Sequence, residues 1–219
     1  MRYCFFNRMG KYDAVLFDLL SGLIDSWELW DSVAGNADAG YAWRKEYLDL
    51  TYSAGQYRDI EELIQIAATN APVGQHAADE LIQRWDELSP WAEATTILQD
   101  IHKDGIAIGV VTNCSDKLGR RAAAQPGVEF DVVATAEAAG QYKPDPAPYE
   151  YALEQLQIPP EKVLFVSGSG RDIPGAWAVG MDAVWHNRRE LTPPPGITGV
   201  ETMETLAELP QYIRGDRSP

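Results

Sequence analysis

Four short apolar runs along the chain each stop at a polar residue. They cover residues 14–17, 106–111, 163–166 and 182–185, and they end at Asp18, at Thr112 and Asn113, at Ser167, and at His186 to Arg188. Unbroken apolar runs of this length are typical of strands that are buried on both faces of a parallel sheet. Segments with helical spacing, such as residues 95–103 and 148–156, precede two of them. This alternation predicts an α/β fold with a doubly wound parallel sheet.

One long stretch, from about residue 27 to about residue 90, interrupts the alternation. Apolar residues recur there at three and four spacing, in residues 41–52, 60–69 and 77–88, without a clear strand. This pattern predicts helices. Pro90 disfavours a helix that continues past the stretch. We therefore predict a core domain of residues 11–24 and 91–219, and an inserted helical cap domain of residues 25–90.

The composition is that of an ordinary globular protein. The chain has 219 residues, of which 45% are hydrophobic and 23% are charged. A chain of this length can bury one full core and a modest insertion. The sequence contains no run of about eighteen apolar residues, the length needed to span a bilayer, and its start lacks the apolar region of a signal peptide. We expect a cytoplasmic protein whose first core element begins after residues 1–10.

Charge narrows the choice of partners. The formal net charge is -15, so the average surface field repels nucleic acid phosphates and anionic lipid heads. We therefore expect a small-molecule substrate, with no nucleic acid and no membrane as partner. The two cysteines, Cys4 and Cys114, are too few for a metal framework, and a reduced pair is the simpler interpretation, although a disulfide between them stays open.

Polar residues at the carboxyl ends of parallel strands meet at one edge of the sheet, where open α/β sheets place their chemistry. Here these residues are Asp18, the Thr112–Asn113 pair, Lys143 and Asp172. Each also has a purely structural explanation. An aspartate at a strand end is often a turn or cap residue, Lys143 lies in a Lys-Pro-Asp-Pro turn, and Asp145 fits a helix N-cap better than a catalyst.

Four motifs in order resemble the haloacid dehalogenase superfamily. They are FDLLSG at residues 17–22, VVTNCS at 110–115, YKPDPAPY at 142–149 and FVSGSGRDIPGAWAVGM at 165–181. The resemblance implies a Rossmann-like core with a cap, and a nucleophilic Asp18 that forms a covalent ester. It further implies that Lys143 is the counter-ion of Asp18, and that Asp172 orients Lys143 or helps to activate the hydrolytic water.

Two departures separate the chain from the phosphatases of that superfamily. Their second aspartate, which protonates the leaving oxygen, is replaced by Leu20, and the acidic residue of their fourth motif is replaced by Gly168. Asp18 and Asp172 alone are a thin ligand set for magnesium. We therefore expect neither a metal nor a cofactor. The three histidines show no ligand spacing, and we expect His186 at the surface.

The pattern resembles the 2-haloacid dehalogenase branch instead. Arg44 resembles the arginine that receives the leaving halide, so it joins Asp18, Lys143 and Asp172 as a predicted catalytic residue. The resemblance also implies a substrate-binding set: Leu20, Trp43, Thr112, Asn113, Tyr149, Ser167, Ser169 and Asn187. Trp27, Trp30 and Trp43 could form an apolar pocket wall or simply the core of the cap.

Two residues depart from that branch. Gly22 stands in place of a threonine, and Ser169 in place of an asparagine. The predicted activity is metal-independent hydrolysis of a C–X bond in a short 2-substituted carboxylic acid. The alternatives are ring opening of azetidine-2-carboxylate, a phosphatase, and an inactive binding protein with this fold. A homodimer is expected from the family resemblance alone.

Overall fold

The computed structural model describes residues 10–215. Its centre is a six-stranded sheet in the order β5-β4-β1-β6-β7-β8, in which all neighbouring strands pair in parallel. The strands of this sheet are β1 Ala14–Asp18, β4 Ala107–Thr112, β5 Val132–Thr135, β6 Val163–Ser167, β7 Asp182–His186 and β8 Glu201–Met203. Two short strands, β2 Ile24–Asp25 and β3 Ser89–Pro90, form a separate antiparallel pair. The predicted parallel sheet is confirmed.

Ten helices surround these strands in the described part of the chain. They are α1 Ser26–Ala34, α2 Ala37–Ala54, α3 Ile60–Asn70, α4 Gln75–Gln83, α5 Ala94–Lys103, α6 Asp116–Ala123, α7 Ala136–Ala139, α8 Pro146–Leu156, α9 Ile173–Ala178 and α10 Leu209–Arg214. Several begin at a side-chain cap: Asp59 accepts a hydrogen bond from the backbone N–H of Glu61 at α3, and Asp145 accepts one from Ala147 at α8. The expected capping role of Asp145 is therefore confirmed.

The central strands explain why their sequences read as unbroken apolar runs. Every residue of β1 and of β6 is buried, because helices cover both faces of the sheet. The predicted runs match β1, β4, β6 and β7 to within one residue at each end. β5 and β8 were not predicted. β5 has four residues and β8 exposes two of its three residues, so neither produces a strong pattern.

Four helices, α1 to α4, lie between β2 and β3. Because Ile24 pairs with Pro90, the chain enters and leaves this helical insert at the same place. The predicted helix over residues 77–88 is shorter than expected: α4 ends at Gln83, and a 3₁₀ turn follows at Trp85–Glu87. The division into a core and a cap at residues 24/25 and 90/91 remains a prediction.

A continuous apolar cluster joins the insert to the sheet. Trp30 and Trp43 of the insert belong to the same buried cluster as Val15 and Phe17 of β1. The ring centroids of Trp30 and Trp43 lie 4.5 Å apart, and the indole N–H of Trp43 donates to the carbonyl oxygen of Ile64 at 3.2 Å. This packing fixes α2 above the carboxyl ends of the strands.

Within residues 10–215, no helix combines the length and the apolar character that a membrane span requires.

Candidate active site

The residues at the strand ends converge on one cavity of about 440 Å³. Asp18 ends β1 and Thr112 ends β4, whereas Asp172 closes a 3₁₀ turn that follows β6. Lys143 comes from the loop between α7 and α8. All four line the cavity together with residues of α1 and α2. The switch in strand order around β1 thus places the chemistry where parallel sheets favour it.

Lys143 bridges the two carboxylates. Its Nζ donates to Asp18 Oδ1 at 2.6 Å and to Asp172 Oδ2 at 2.7 Å. The three side chains are at most 8% exposed. Two carboxylates and one ammonium leave this buried group with a formal charge of about minus one. A buried group of this kind is stable only when each charge has a partner.

Burial has the largest effect on the pKa of the Asp18 carboxyl group. Loss of hydration raises the pKa of Asp18 from 3.8 to about 6; the nearby charge of Asp172 also raises the pKa, and Lys143 lowers it. Lys143 therefore opposes the effect of burial without cancelling it. At neutral pH Asp18 is still largely ionised, desolvated and held by one ammonium group, as a nucleophilic carboxylate must be.

Arg44 supplies a second cation to the cavity, from α2. It is 4% exposed, its guanidinium lies 4.1 Å from the ring centre of Trp27, and its Nη1 donates to the hydroxyl of Ser26. Burial lowers the pKa of Arg44 to about 10, so the side chain stays charged at neutral pH. Its buried Nε has no hydrogen-bond partner within the described residues. Because Arg44 lines the cavity, its planar cation can bind an anion there.

Two tyrosines of α2 were missed by the sequence prediction. The hydroxyl of Tyr52 contacts Asp172 Oδ1 at 2.6 Å, and that of Tyr47 donates to the carbonyl oxygen of Asn113 at 3.4 Å. Both line the cavity with Arg44 and Leu48. Arg44, Tyr47, Leu48 and Tyr52 follow three and four spacing, so they share one helical face. That spacing was visible in the sequence once Arg44 had been placed in the site.

Close backbone packing explains the glycines next to Asp18. A Cβ atom on Gly168 would lie 2.3 Å from the backbone nitrogen of Gly22 and 2.7 Å from Asp18 Oδ2. A Cβ atom on Gly22 would lie 2.0 Å from the carbonyl oxygen of Asp18. Neither position accepts a side chain without movement of Asp18 or of the backbone beside it. The site therefore excludes a carboxylate at residue 168.

His186 corrects one expectation. It was predicted at the surface, but it is 1% exposed at the end of β7. Its Nδ1 lies 2.9 Å from the carbonyl oxygen of Gly22, and burial lowers its pKa. The imidazole therefore supports the loop that follows Asp18.

Four of the predicted substrate-binding residues, Leu20, Thr112, Asn113 and Ser169, line the cavity. Asn113 is also structural: its Oδ1 accepts from the backbone N–H of Lys143 at 2.7 Å, and its Nδ2 donates to the Lys143 carbonyl oxygen at 3.2 Å. These two bonds fix the loop that presents the lysine. Trp27 and Trp30 also line the cavity.

The other four predicted substrate-binding residues do not belong to the wall of this cavity as described. Trp43 packs in the core of the insert, where it donates to Ile64. Tyr149 is fully buried and its hydroxyl donates to the carbonyl oxygen of Asp172 at 2.8 Å. Ser167 donates to the carbonyl oxygen of Ser169 at 2.6 Å, and Asn187 binds the backbone of Leu191. None of the four lines this cavity, and their part in substrate binding remains a prediction.

Within residues 10–215, no group of three or more histidine, cysteine, aspartate or glutamate side chains is arranged to hold a metal ion. Three acidic residues, Asp18, Asp172 and Glu190, line the cavity, and the first two are already paired with Lys143. Cys114 is buried and free, whereas Cys4 lies outside the described residues, as do all of residues 1–9.

The chain is similar to known dehalogenases. A model of the family described as haloacid dehalogenase-like hydrolases matches residues 12–180. Haloacetate dehalogenase H-2 of Moraxella sp. (strain B) is 28% identical, over 92% of this chain and 99% of that protein. (S)-2-haloacid dehalogenase 4A of Burkholderia cepacia is 27% identical, over 86% of this chain and 84% of its own.

Solved structures agree with this similarity. The crystal structure of the L-2-haloacid dehalogenase RSc1362 matches with a TM-score of 0.81 at 25% identity, covering 93% of this chain and 99% of that one. The L-2-haloacid dehalogenase from Xanthobacter autotrophicus with chloropropionic acid covalently bound gives the same TM-score at 22% identity and the same coverage. At that identity the second match speaks for the fold alone.

Proposed function

Because the chain belongs to the haloacid dehalogenase-like hydrolases, we propose that it is a metal-independent 2-haloacid dehalogenase that replaces the halogen of a short 2-haloacid with a hydroxyl group. The observation that carries the proposal is the buried Lys143 bridging Asp18 and Asp172 at 2.6 and 2.7 Å, in a cavity that Arg44 also lines. The substrate class is supported by relatives that are named for haloacetate and for (S)-2-haloacids.

In the first step, the Asp18 carboxylate attacks C2 of the substrate. A bond forms between a carboxylate oxygen and C2 while the C2–halogen bond breaks, and the halogen leaves with its electron pair as halide. Arg44, a buried cation that lines the cavity, stabilises the halide by its charge. The substrate carboxylate is held by Thr112 and by backbone N–H groups at the same edge of the sheet.

In the second step, water hydrolyses the ester. The water oxygen bonds to Cγ of Asp18 as Asp172 accepts a proton from it. The bond between Cγ and the substrate oxygen then breaks, and that oxygen takes the proton from Asp172 to give the 2-hydroxy acid. Asp18 is left as a carboxylic acid, whose proton passes to solvent because the pKa of Asp18 is about 6. One water is consumed, and one halide and one proton are released.

The geometry supports hydrolysis of a C–X bond over phosphate-ester hydrolysis. A halide leaves without a proton, so no acid is needed at Leu20, which lines the cavity. A phosphate ester needs a proton on its leaving oxygen, and the acidic ligand that phosphatases carry in their fourth motif has no room at Gly168.

The proposal also includes a cap domain of residues 25–90 on a core domain, a cytoplasmic location and a homodimer.

The test is product release from a small panel. Chloroacetate, both enantiomers of 2-chloropropionate, azetidine-2-carboxylate and p-nitrophenyl phosphate are each incubated with the enzyme in EDTA and in magnesium. We expect halide and 2-hydroxy acid in EDTA from at least one chloroacid, and none from the Asp18→Asn variant. Phosphate release that depends on magnesium, or ring opening without halide release, would contradict the proposal.

A further inference from the structure

The proposed reaction has two halves, and Asp172 acts in the second. An aspartate that takes a proton from water must hold one orientation while the ester is attacked. We propose that Tyr52, a residue of α2 in the helical insert, is the positioning residue for this half: its hydroxyl holds Asp172 in place for ester hydrolysis and has no part in ester formation. This inference rests on the proposed function.

The two carboxylate oxygens of Asp172 have different hydrogen-bond partners. Lys143 Nζ binds Oδ2 at 2.7 Å, and the Tyr52 hydroxyl lies 2.6 Å from Oδ1. The same hydroxyl lies 3.2 Å from Oγ of Ser169. A phenol has one proton to donate, and the shorter contact to a charged acceptor is the stronger bond. Tyr52 therefore donates to Asp172, and the hydroxyl of Ser169 donates to Tyr52.

Tyr52 keeps its proton, and so remains a hydrogen-bond donor, at neutral pH. Burial and the charge of Asp172 raise the pKa of Tyr52 well above 10. The phenol therefore keeps its proton when Asp172 is charged. A continuous chain of hydrogen bonds then runs from Ser169 through Tyr52, Asp172 and Lys143 to Asp18.

A second contact fixes the ring of Tyr52. The guanidinium of Arg171 stacks 4.0 Å from the ring centre of Tyr52, and its Nη1 pairs with Asp49 at 2.7 Å. Asp49 lies three residues before Tyr52, on the same side of α2. Arg171 is the neighbour of Asp172 in the 3₁₀ turn. The turn that carries Asp172 is thus joined to α2 by two of its three residues, Arg171 and Asp172.

The two halves differ in what they need. Ester formation requires an ionised Asp18, Lys143 and Arg44, none of which contacts the Tyr52 hydroxyl directly. Ester hydrolysis requires water to lose a proton to Asp172 as its oxygen bonds to Cγ of Asp18. A hydrogen bond to a charged group is among the stronger ones in proteins, so its loss slows the dependent step by about 10- to 100-fold. Loss of the Tyr52 hydroxyl therefore traps the ester.

The experiment compares Tyr52→Phe with Tyr57→Phe in the full-length enzyme. Tyr57 contacts Tyr142 outside the cavity, with ring centroids 5.5 Å apart, so its variant is a matched loss of one phenol oxygen. Halide release is followed by rapid quench, and the ester is followed by the intact mass of the quenched protein. For Tyr52→Phe we expect one halide per site at the rate of the unmodified enzyme, and then steady-state turnover that is slower by about tenfold or more, with the ester accumulating.

Three results overturn the inference. They are a Tyr52→Phe enzyme with unchanged turnover, one in which halide release and ester decay slow equally, and a Tyr57→Phe enzyme that also accumulates ester. The first two results would exclude a specific role of Tyr52 in ester hydrolysis. The third would mean that ester accumulates after loss of a phenol oxygen outside the cavity too, so the effect would not be specific to the contact with Asp172. If the unmodified enzyme releases no halide from any chloroacid, the proposed function itself fails, and the inference fails with it.

Discussion

Replacing Asp18 by asparagine tests both its chemistry and its environment. The variant keeps the shape of the side chain but removes the carboxylate that we propose as the nucleophile, so we expect no product from any substrate. We also expect the variant to be more stable than the natural protein at neutral pH. The reason is that the fold holds a carboxylate at residue 18 under conditions that disfavour its charge.

The size of the gain follows from the pKa of Asp18, which is 3.8 ordinarily and about 6 in the folded protein. A folded-state pKa above the unfolded value means that stability is complete below pH ~4 and is lost as pH rises through ~6. At about 1.4 kcal/mol for each tenfold change in the acid constant, the charged form costs the fold about 3 kcal/mol at pH 7.5. Asparagine has no such cost.

Thermal unfolding followed by circular dichroism measures this difference. For a chain of this size, about 3 kcal/mol corresponds to a rise in Tm of roughly 6–12 °C at pH 7.5, and the difference should largely vanish near pH 4. Asp59→Asn is the control, because Asp59 caps α3 at the surface and asparagine caps a helix as well. A Tm for Asp18→Asn that is equal to or below that of the natural protein at pH 7.5 would contradict the raised pKa of Asp18.

Four further results are expected. Lys143→Met leaves two buried carboxylates without a counter-charge, so halide release should cease and urea unfolding should show a loss of about 3–5 kcal/mol at pH 7.5; unchanged stability would contradict the ion-pair description. Arg44→Lys keeps the charge but loses the planar fork, so rapid quench should show slower release of the first halide, and an unchanged rate would remove Arg44 from the leaving-group site. Gly168→Ala places a Cβ atom 2.7 Å from Asp18 Oδ2, so ester formation measured by intact mass should be lost, and full activity would disprove the close packing. In the natural enzyme the rate of the first halide release should rise with pH through about 6, because Asp18 must be ionised; a flat profile between pH 5 and 8 would contradict the raised pKa.

The central strands and the polar residues at their carboxyl ends were predictable from the sequence. A strand buried on both faces produces a continuous apolar run, and β1, β4, β6 and β7 all do so. Parallel strands bring their carboxyl ends to one edge, so Asp18 and Thr112 had to lie close together. β5 could not be predicted in this way, because an apolar run of four residues is too short to distinguish a strand from a turn.

The residues that line the cavity were predictable only in part. The packing of α2 against the sheet determines which face of this helix lines the cavity. Spacing placed Arg44, Trp43 and Tyr52 on one helix but did not fix its rotation about its axis. In the structure Trp43 turns into the core of the insert, and Tyr52 turns to Asp172. The burial of His186 was unpredictable for a similar reason. A polar side chain at a strand end can pack against a neighbouring loop, and His186 does so at the carbonyl oxygen of Gly22.

The most direct test of an ester on Asp18 follows the oxygen atom of water during one turnover. Enzyme in excess over chloroacid is allowed to react in water enriched in oxygen-18, and the peptide that contains Asp18 and the released hydroxy acid are both analysed by mass spectrometry. If Asp18 forms an ester that water cleaves at Cγ, the label appears in the Asp18 carboxylate and the product carries ordinary oxygen. Label in the product and none in the peptide would mean that water attacks C2 directly, and that Asp18 is not the nucleophile.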